Sequence, residues 1–192
     1  MTEDEGRTTP QQGWSFVLRH SSDWYSQPDQ ECNVKTILFV CTANICRSPM
    51  AAALLRQRIA DLGLSDHVTV ASAGVWAREG VASSAEAIVV LNQRGIALDG
   101  HRSRPVSVTL LQEASIILVM EEAHRRSLFY LAPQFLGKVF LLTEMSGGDE
   151  DVEDPYGGEI EDYTVTVKLL EKLIEAGLPN ILARLGISLE SA

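Results

Sequence analysis

A cysteine, five intervening residues, an arginine, a serine and a proline make a compact device for holding and attacking a phosphate group. Val40-Cys41-Thr42-Ala43-Asn44-Ile45-Cys46-Arg47-Ser48-Pro49 has that order. A thiolate at Cys41 would attack phosphorus in line with the leaving oxygen. The planar fork of Arg47 matches two phosphate oxygens and grips harder as charge builds on them. Ser48 can donate to the Cys41 sulfur and ease its departure in a second step. Asn44 is a residue type that tolerates the left-handed backbone such a loop needs. Amides of the loop, from Thr42 through Ala43, Asn44, Ile45, Cys46 and Arg47 to Ser48, are expected to converge on the anion. The structural alternative, a core cysteine beside a helix-capping turn, leaves Arg47 unexplained.

Expelling an alkoxide or phenoxide also requires a proton donor. Asp154, in Asp154-Pro155-Tyr156-Gly157, is the candidate, and its acidic neighbours Asp151 and Glu153 are expected to help it hold a proton. The same carboxylate could later activate water against a cysteinyl-phosphate. Its structural alternative is an acidic surface turn, which Asp-Pro often makes.

These residues need a scaffold that brings positions 41 and 154 together. The apolar run Ile37–Val40 predicts a strand over 34–40, and Pro49 is expected to open a helix that stops at Gly63. Alternation over 67–73, the apolar run 115–120 and residues 138–143 predict three more strands. Helices are expected over 84–94, 110–114, from about 122, and over 160–176, with a last turn or two at 180–185. Strands alternating with helices imply an α/β three-layer sandwich, a four-stranded parallel sheet covered on both faces. Ligands of such sheets bind beyond the carboxyl ends of the strands, where the loop after the first strand lies. The positive end of the following helix adds to the field on a bound anion and favours a thiolate at Cys41.

The chain has 192 residues, 45% of them hydrophobic, which suits one sizeable core over residues 34–192. Residues 1–33 carry six acids against two arginines and read as a flexible extension, although Trp14, Phe16, Trp24 and Tyr25 could anchor it. A net charge of −10 argues against nucleic acid or an anionic membrane as partner. No apolar stretch is long enough to span a bilayer, and the acidic start lacks the apolar segment of a secretory signal. Three cysteines are too few for a disulfide framework. Together these features predict a cytoplasmic protein.

At this point the chain resembles the low-molecular-weight protein tyrosine phosphatases over about residues 35–176. The resemblance rests on the loop at 41–49, Ser72-Ala73-Gly74, Gly95-Ile96 through His101-x-Ser103-Arg104, Val119-Met120-Glu121, and Asp154-Pro155-Tyr156. It implies Cys41 as nucleophile, Arg47 as phosphoryl ligand and Asp154 as general acid. It also implies a network of Asn44, Ser48, Ser72 and His101 that supports the loop, and Cys46 as a reversible disulfide partner that shields Cys41. Neither a metal nor an organic cofactor is implied, and the expected partner is a phosphorylated protein or peptide. Ala43 departs from the usual glycine. If that position needs positive φ, alanine costs on the order of 1 kcal/mol.

Substrate choice is expected in the pocket walls, with Ile45 as an apolar wall and Trp76 and Tyr156 sandwiching a ring. The nearest rival is the protein arginine phosphatase branch. Its acid-loop pattern is similar, but it typically has Thr where this chain has Ile45. Arsenate reductase would require resolving cysteines after Cys46, and there are none. A zinc site lacks a second ligand pair, and the acids at 149–154 lack the glycine of a calcium loop. A non-catalytic phosphate-binding adaptor remains an alternative that activity would decide.

Overall fold

The structure is a computed structural model and describes residues 34–188. The extension predicted over residues 1–33 lies outside the described residues. Apolar, β-branched and aromatic residues in Lys35–Cys41 make β1 the central strand, buried from Ile37 onward. The others are β2 (Val68–Gly74), β3 (Ile116–Val119) and β4 (Val139–Leu141). All pair in parallel in the order β2-β1-β3-β4.

The pleat divides the core in two. Ile37, Phe39, Ile116 and Leu118 face one side, against α1 (Arg47–Asp61), α2 (Ala85–Asn92) and α5 (Ile160–Leu185). Leu38, Val40, Ile117 and Val119 face the other, against α3 (Val108–Glu113) and α4 (Glu122–Leu131). The result is the three-layer α/β sandwich read from the sequence. Every strand ends at the same rim, so the loops after β1, β2, β3 and β4 are neighbours.

Two local expectations are corrected. Helix α1 begins at Arg47, which puts Pro49 third in the helix, and the first helical bond runs from the Met50 amide to Cys46 O at 3.1 Å. The proline is tolerated because the first few helical amides have no partner within the helix in any case. Helix α5 does not stop at Ala176 but continues through Pro179 to Leu185. A proline inside a helix costs about 3 kcal/mol. Burial of Leu178, Ile181, Leu182 and Leu185 beyond that point, at about 1.5–3 kcal/mol for each large apolar side chain, outweighs it. Asn180 Nδ2 also donates to Met145 O at 2.8 Å, fastening the helix just past the proline.

Candidate active site

The loop between β1 and α1 is shaped by one left-handed residue. Asn44 has φ +56°, the one positive φ among non-glycine residues of the described part. Ala43 therefore sits in an ordinary backbone region, and the strain that a missing glycine would have caused there does not arise. Close approach falls instead on Gly74, at the end of β2. A Cβ at that position would lie 2.6 Å from Thr42 O and 2.8 Å from the Asn44 amide. The loop folds onto the sheet only because residue 74 has no side chain.

Asn44 is fully buried, and its polar groups find partners in other elements. Its Nδ2 donates to Ser48 Oγ and to Ser72 Oγ, each at 2.9 Å. Its Oδ1 accepts from the Arg104 amide at 3.0 Å, and its carbonyl oxygen lies 2.8 Å from His101 Nε2. Because a carbonyl only accepts, His101 must carry its proton on Nε2. Burial, with Arg56, Arg104 and Arg102 nearby, lowers the His101 pKa against the opposing pull of that hydrogen bond. Arg104 Nε donates to Ser72 O at 2.9 Å, a contact that residue spacing does not suggest.

Cys41 is buried, with its Sγ 2.9 Å from Ser48 Oγ and 3.3 Å from the Asn44 amide. Ser48 Oγ also lies 3.3 Å from Ala73 O. Its single hydroxyl hydrogen thus has two possible acceptors. With Cys41 a thiol, the S–H can donate to Ser48 while Ser48 donates to Ala73; with Cys41 a thiolate, Ser48 turns to the sulfur. Burial pushes the thiol pKa up, while Ser48, Asn44 and the Arg47 charge pull it down, and burial prevails. That differs from the thiolate-favouring field read from the sequence. The reason is desolvation: the sulfur is buried, and that outweighs the charge and the hydrogen bonds that favour a thiolate.

Arg47 is 1% exposed and lies in the midst of the rim. Its Nη1 bonds Glu121 Oε1 and, at 2.8 Å, Val152 O. Its Nη2 bonds Asp154 Oδ2 at 2.5 Å and Thr42 Oγ1 at 3.3 Å. Its Nε is buried and has no hydrogen-bond partner among the described residues. The Asp154 loop is pinned at its base, because the Val152 amide donates to Met120 O at 2.8 Å and Asp151 Oδ1 accepts from the Glu122 amide at 2.8 Å. Asp151 is thus turned to the start of α4, and the nearest full charge to Asp154 is the opposite charge of Arg47.

A cavity of about 420 Å³ opens over this loop, lined by Cys41, Thr42, Ala43, Ile45 and Cys46 below and by Trp76, Arg78, Val81, Asp154 and Tyr156 around the mouth. Trp76 is 76% exposed and Tyr156 68%, so neither ring is needed by the core. Cys46 has partners of its own, with its Sγ 3.4 Å from Ser84 Oγ and 3.3 Å from Tyr163 Oη. Both cysteines are free thiols.

The structure therefore brings Cys41, Arg47 and Asp154 to one rim, and Asn44, Ser48, Ser72 and His101 beneath it. Glu121, His124 and Gly74 were not singled out as site residues from the sequence. Glu121 had a usable signal, since it follows the apolar run of β3 and so stands at the carboxyl end of a strand. His124, one turn later, touches Thr42 at 2.9 Å and had none.

A family model described as low molecular weight phosphotyrosine protein phosphatase matches residues 36–186. A protein named probable low molecular weight protein-tyrosine-phosphatase EpsP, from Ralstonia solanacearum, is 37% identical over 150 residues, covering 78% of this chain and 98% of its own. A protein-arginine-phosphatase from Geobacillus stearothermophilus is 41% identical over 140 residues, covering 72% and 90%. Among solved structures, a low molecular weight protein tyrosine phosphatase from T. tengcongensis superposes with a TM-score of 0.73 at 38% identity, covering 76% of this chain and 99% of that one.

Proposed function

The chain belongs to the low molecular weight phosphotyrosine protein phosphatase family and is a phosphoric monoester hydrolase; we propose that it removes phosphate from tyrosine in proteins through a phosphorylated Cys41. The observation that carries the residue assignment is that Arg47, whose Nε is buried and has no partner among the described residues, bonds Asp154 and Thr42, which line the cavity with Cys41. A buried guanidinium donor without a partner is costly, and a phosphoryl oxygen in the cavity supplies one.

The steps follow from the contacts. A phosphate dianion entering the cavity displaces the Asp154 carboxylate from Arg47. The released Asp154 takes the proton of the Cys41 thiol, which leaves a thiolate facing phosphorus. Cys41 attacks phosphorus, the phenolic oxygen leaves with the proton from Asp154, and Ser48 donates to the sulfur. Water, deprotonated by Asp154, then attacks the cysteinyl-phosphate. Phosphate leaves with the thiolate as the second leaving group. Glu121 and Val152 O hold Nη1 throughout, so Arg47 pivots about a fixed end.

Preference for tyrosine over arginine rests on the cavity walls. Ile45 and Val81 are apolar, and Trp76 and Tyr156 are exposed rings at the mouth, a lining suited to an aryl ester. The arginine reading is the second one, favoured by the similarity to a protein-arginine-phosphatase. Hydrolysis of a phosphotyrosine peptide and a phosphoarginine peptide, side by side and with Cys41→Ser as the blank, separates the two. Faster Cys41-dependent turnover of phosphotyrosine is expected. The free thiols fit a reducing cytoplasm. Peroxide is expected to join Cys41 and Cys46 in a disulfide, with loss of two hydrogens per molecule by mass and reversal by a thiol reductant. A sulfonic acid at Cys41 would argue against this shielding.

A further inference from the structure

Thr42 stands one residue past Cys41 and borders the cavity, yet its hydroxyl is also held from behind. Arg47 Nη2 lies 3.3 Å from Thr42 Oγ1 and can only donate to it. On the other side His124 Nε2 lies 2.9 Å away. His124 is 3% exposed, and its Nδ1 is buried with no hydrogen-bond partner among the described residues.

The orphaned Nδ1 decides which way the hydrogen bond runs. Burial holds the imidazole toward its neutral form, against the opposing pull of the Glu121 charge. A neutral ring carries one N–H. Were it on Nδ1, a buried donor would be left unpaired, which native structures rarely tolerate. Were it on Nε2, only a lone pair would be unpaired, the cheaper arrangement. Nε2–H therefore donates to Thr42. Thr42 Oγ1 then accepts from both Arg47 and His124, which uses both of its lone pairs. Its own hydrogen is left over, on a side chain that lines the cavity.

We propose that Thr42 is a catalytic residue whose hydroxyl donates a hydrogen bond to an oxygen of the bound phosphate ester, and that His124 is the positioning residue that fixes its direction. This rests on the phosphatase reading of the same cavity. Thr42 adds a side-chain donor to those of Arg47 and the loop amides, and His124 joins the β3–α4 junction to the phosphate loop.

Two measurements test it. In the ¹⁵N spectrum of the full-length protein, His124 should show Nε2 protonated and Nδ1 bare; the opposite tautomer would overturn the proposal. In hydrolysis of a phosphotyrosine peptide, Thr42→Val should lower kcat/KM about ten- to hundredfold, the scale of one hydrogen bond to a charged group. Thr42→Ser, which keeps the hydroxyl, should stay within about threefold of the wild type on the same scale. Binding of inorganic phosphate should weaken with Val and recover with Ser. A Val variant equal to the wild type, or a Ser variant as impaired as Val, would overturn the role of the hydroxyl. Turnover that survives Cys41→Ser would instead defeat the reading of Cys41 as the nucleophile, which the tautomer spectrum and the Val-to-Ser contrast do not address.

Discussion

Asp154 Oδ2 lies 2.5 Å from Nη2 of Arg47, so the residue that would protonate the leaving group and the residue that would grip the phosphate hold one another. Asp154 is 37% exposed at its side chain while Arg47 is 1% exposed, so the acid is the member free to swing away. On the proposed mechanism the pair would keep a buried cation compensated until a dianion arrives.

Asp154→Ala should therefore separate binding from chemistry. With the competing carboxylate gone, inorganic phosphate is expected to inhibit at lower concentration. Turnover of an aryl ester with a poor leaving group should fall by about a hundredfold or more, the usual scale of general-acid catalysis. The loss should be smaller for p-nitrophenyl phosphate, whose leaving group needs little protonation. Steady-state kinetics on both esters, with phosphate as inhibitor, would check this. Equal losses on the two would count against Asp154 as the acid.

Ser48→Ala should make Cys41 a poorer nucleophile. Ser48 lowers the Cys41 pKa against the larger upward push of burial. Removing its hydroxyl shifts the balance further up, so a higher pH is needed to form the thiolate. The pH profile of iodoacetamide alkylation at Cys41, followed by mass spectrometry, should move to higher pH in the variant. No movement would show that Ser48 does not stabilise the thiolate.

Gly74→Ala tests whether the phosphate loop depends on the end of β2. The added Cβ would lie 2.6 Å from a backbone oxygen and 2.8 Å from a backbone nitrogen, neither of which can rotate out of the way. Overpacking of this kind costs about 1–3 kcal/mol. Thermal unfolding should show a lowered Tm, and kcat/KM should drop at least about tenfold as loop amides shift by a few tenths of an ångström. Gly100→Ala, where φ is not positive and a Cβ meets nothing within 4 Å among the described residues, controls for general loss of a glycine.

Trp76→Ala should change substrate choice and leave stability nearly intact, since the ring is 76% exposed. KM for aryl phosphates is expected to rise while alkyl phosphates are unaffected. Equal effects on both would defeat the role of Trp76 as a ring-stacking wall.

The sequence by itself determined the chemistry of single residues and the order of the elements. Cys41, Arg47 and Ser48 are neighbours in the chain, so their spacing is readable, and the apolar run of β1 and the alternating strands and helices fix a parallel sheet. Asp154 could be nominated because it follows the last strand. What the chain order could not supply was which distant groups meet. Glu121 lies 74 residues from Arg47, and His124 lies 82 from Thr42. Those meetings depend on the order β2-β1-β3-β4, which sets the end of β3 beside the end of β1. The expected strain at Ala43 disappeared for a related reason. The tight spot belongs to Gly74, where two strand ends press backbone on backbone. Helix α5 running through Pro179 is a further case, because a local breaker was outweighed by apolar side chains whose burial only the packed core provides. Local sequence records which groups are available. Their charge balance, hydrogen-bond direction and clearance are set by contacts between segments far apart in the chain, and those exist only once the sheet has assembled.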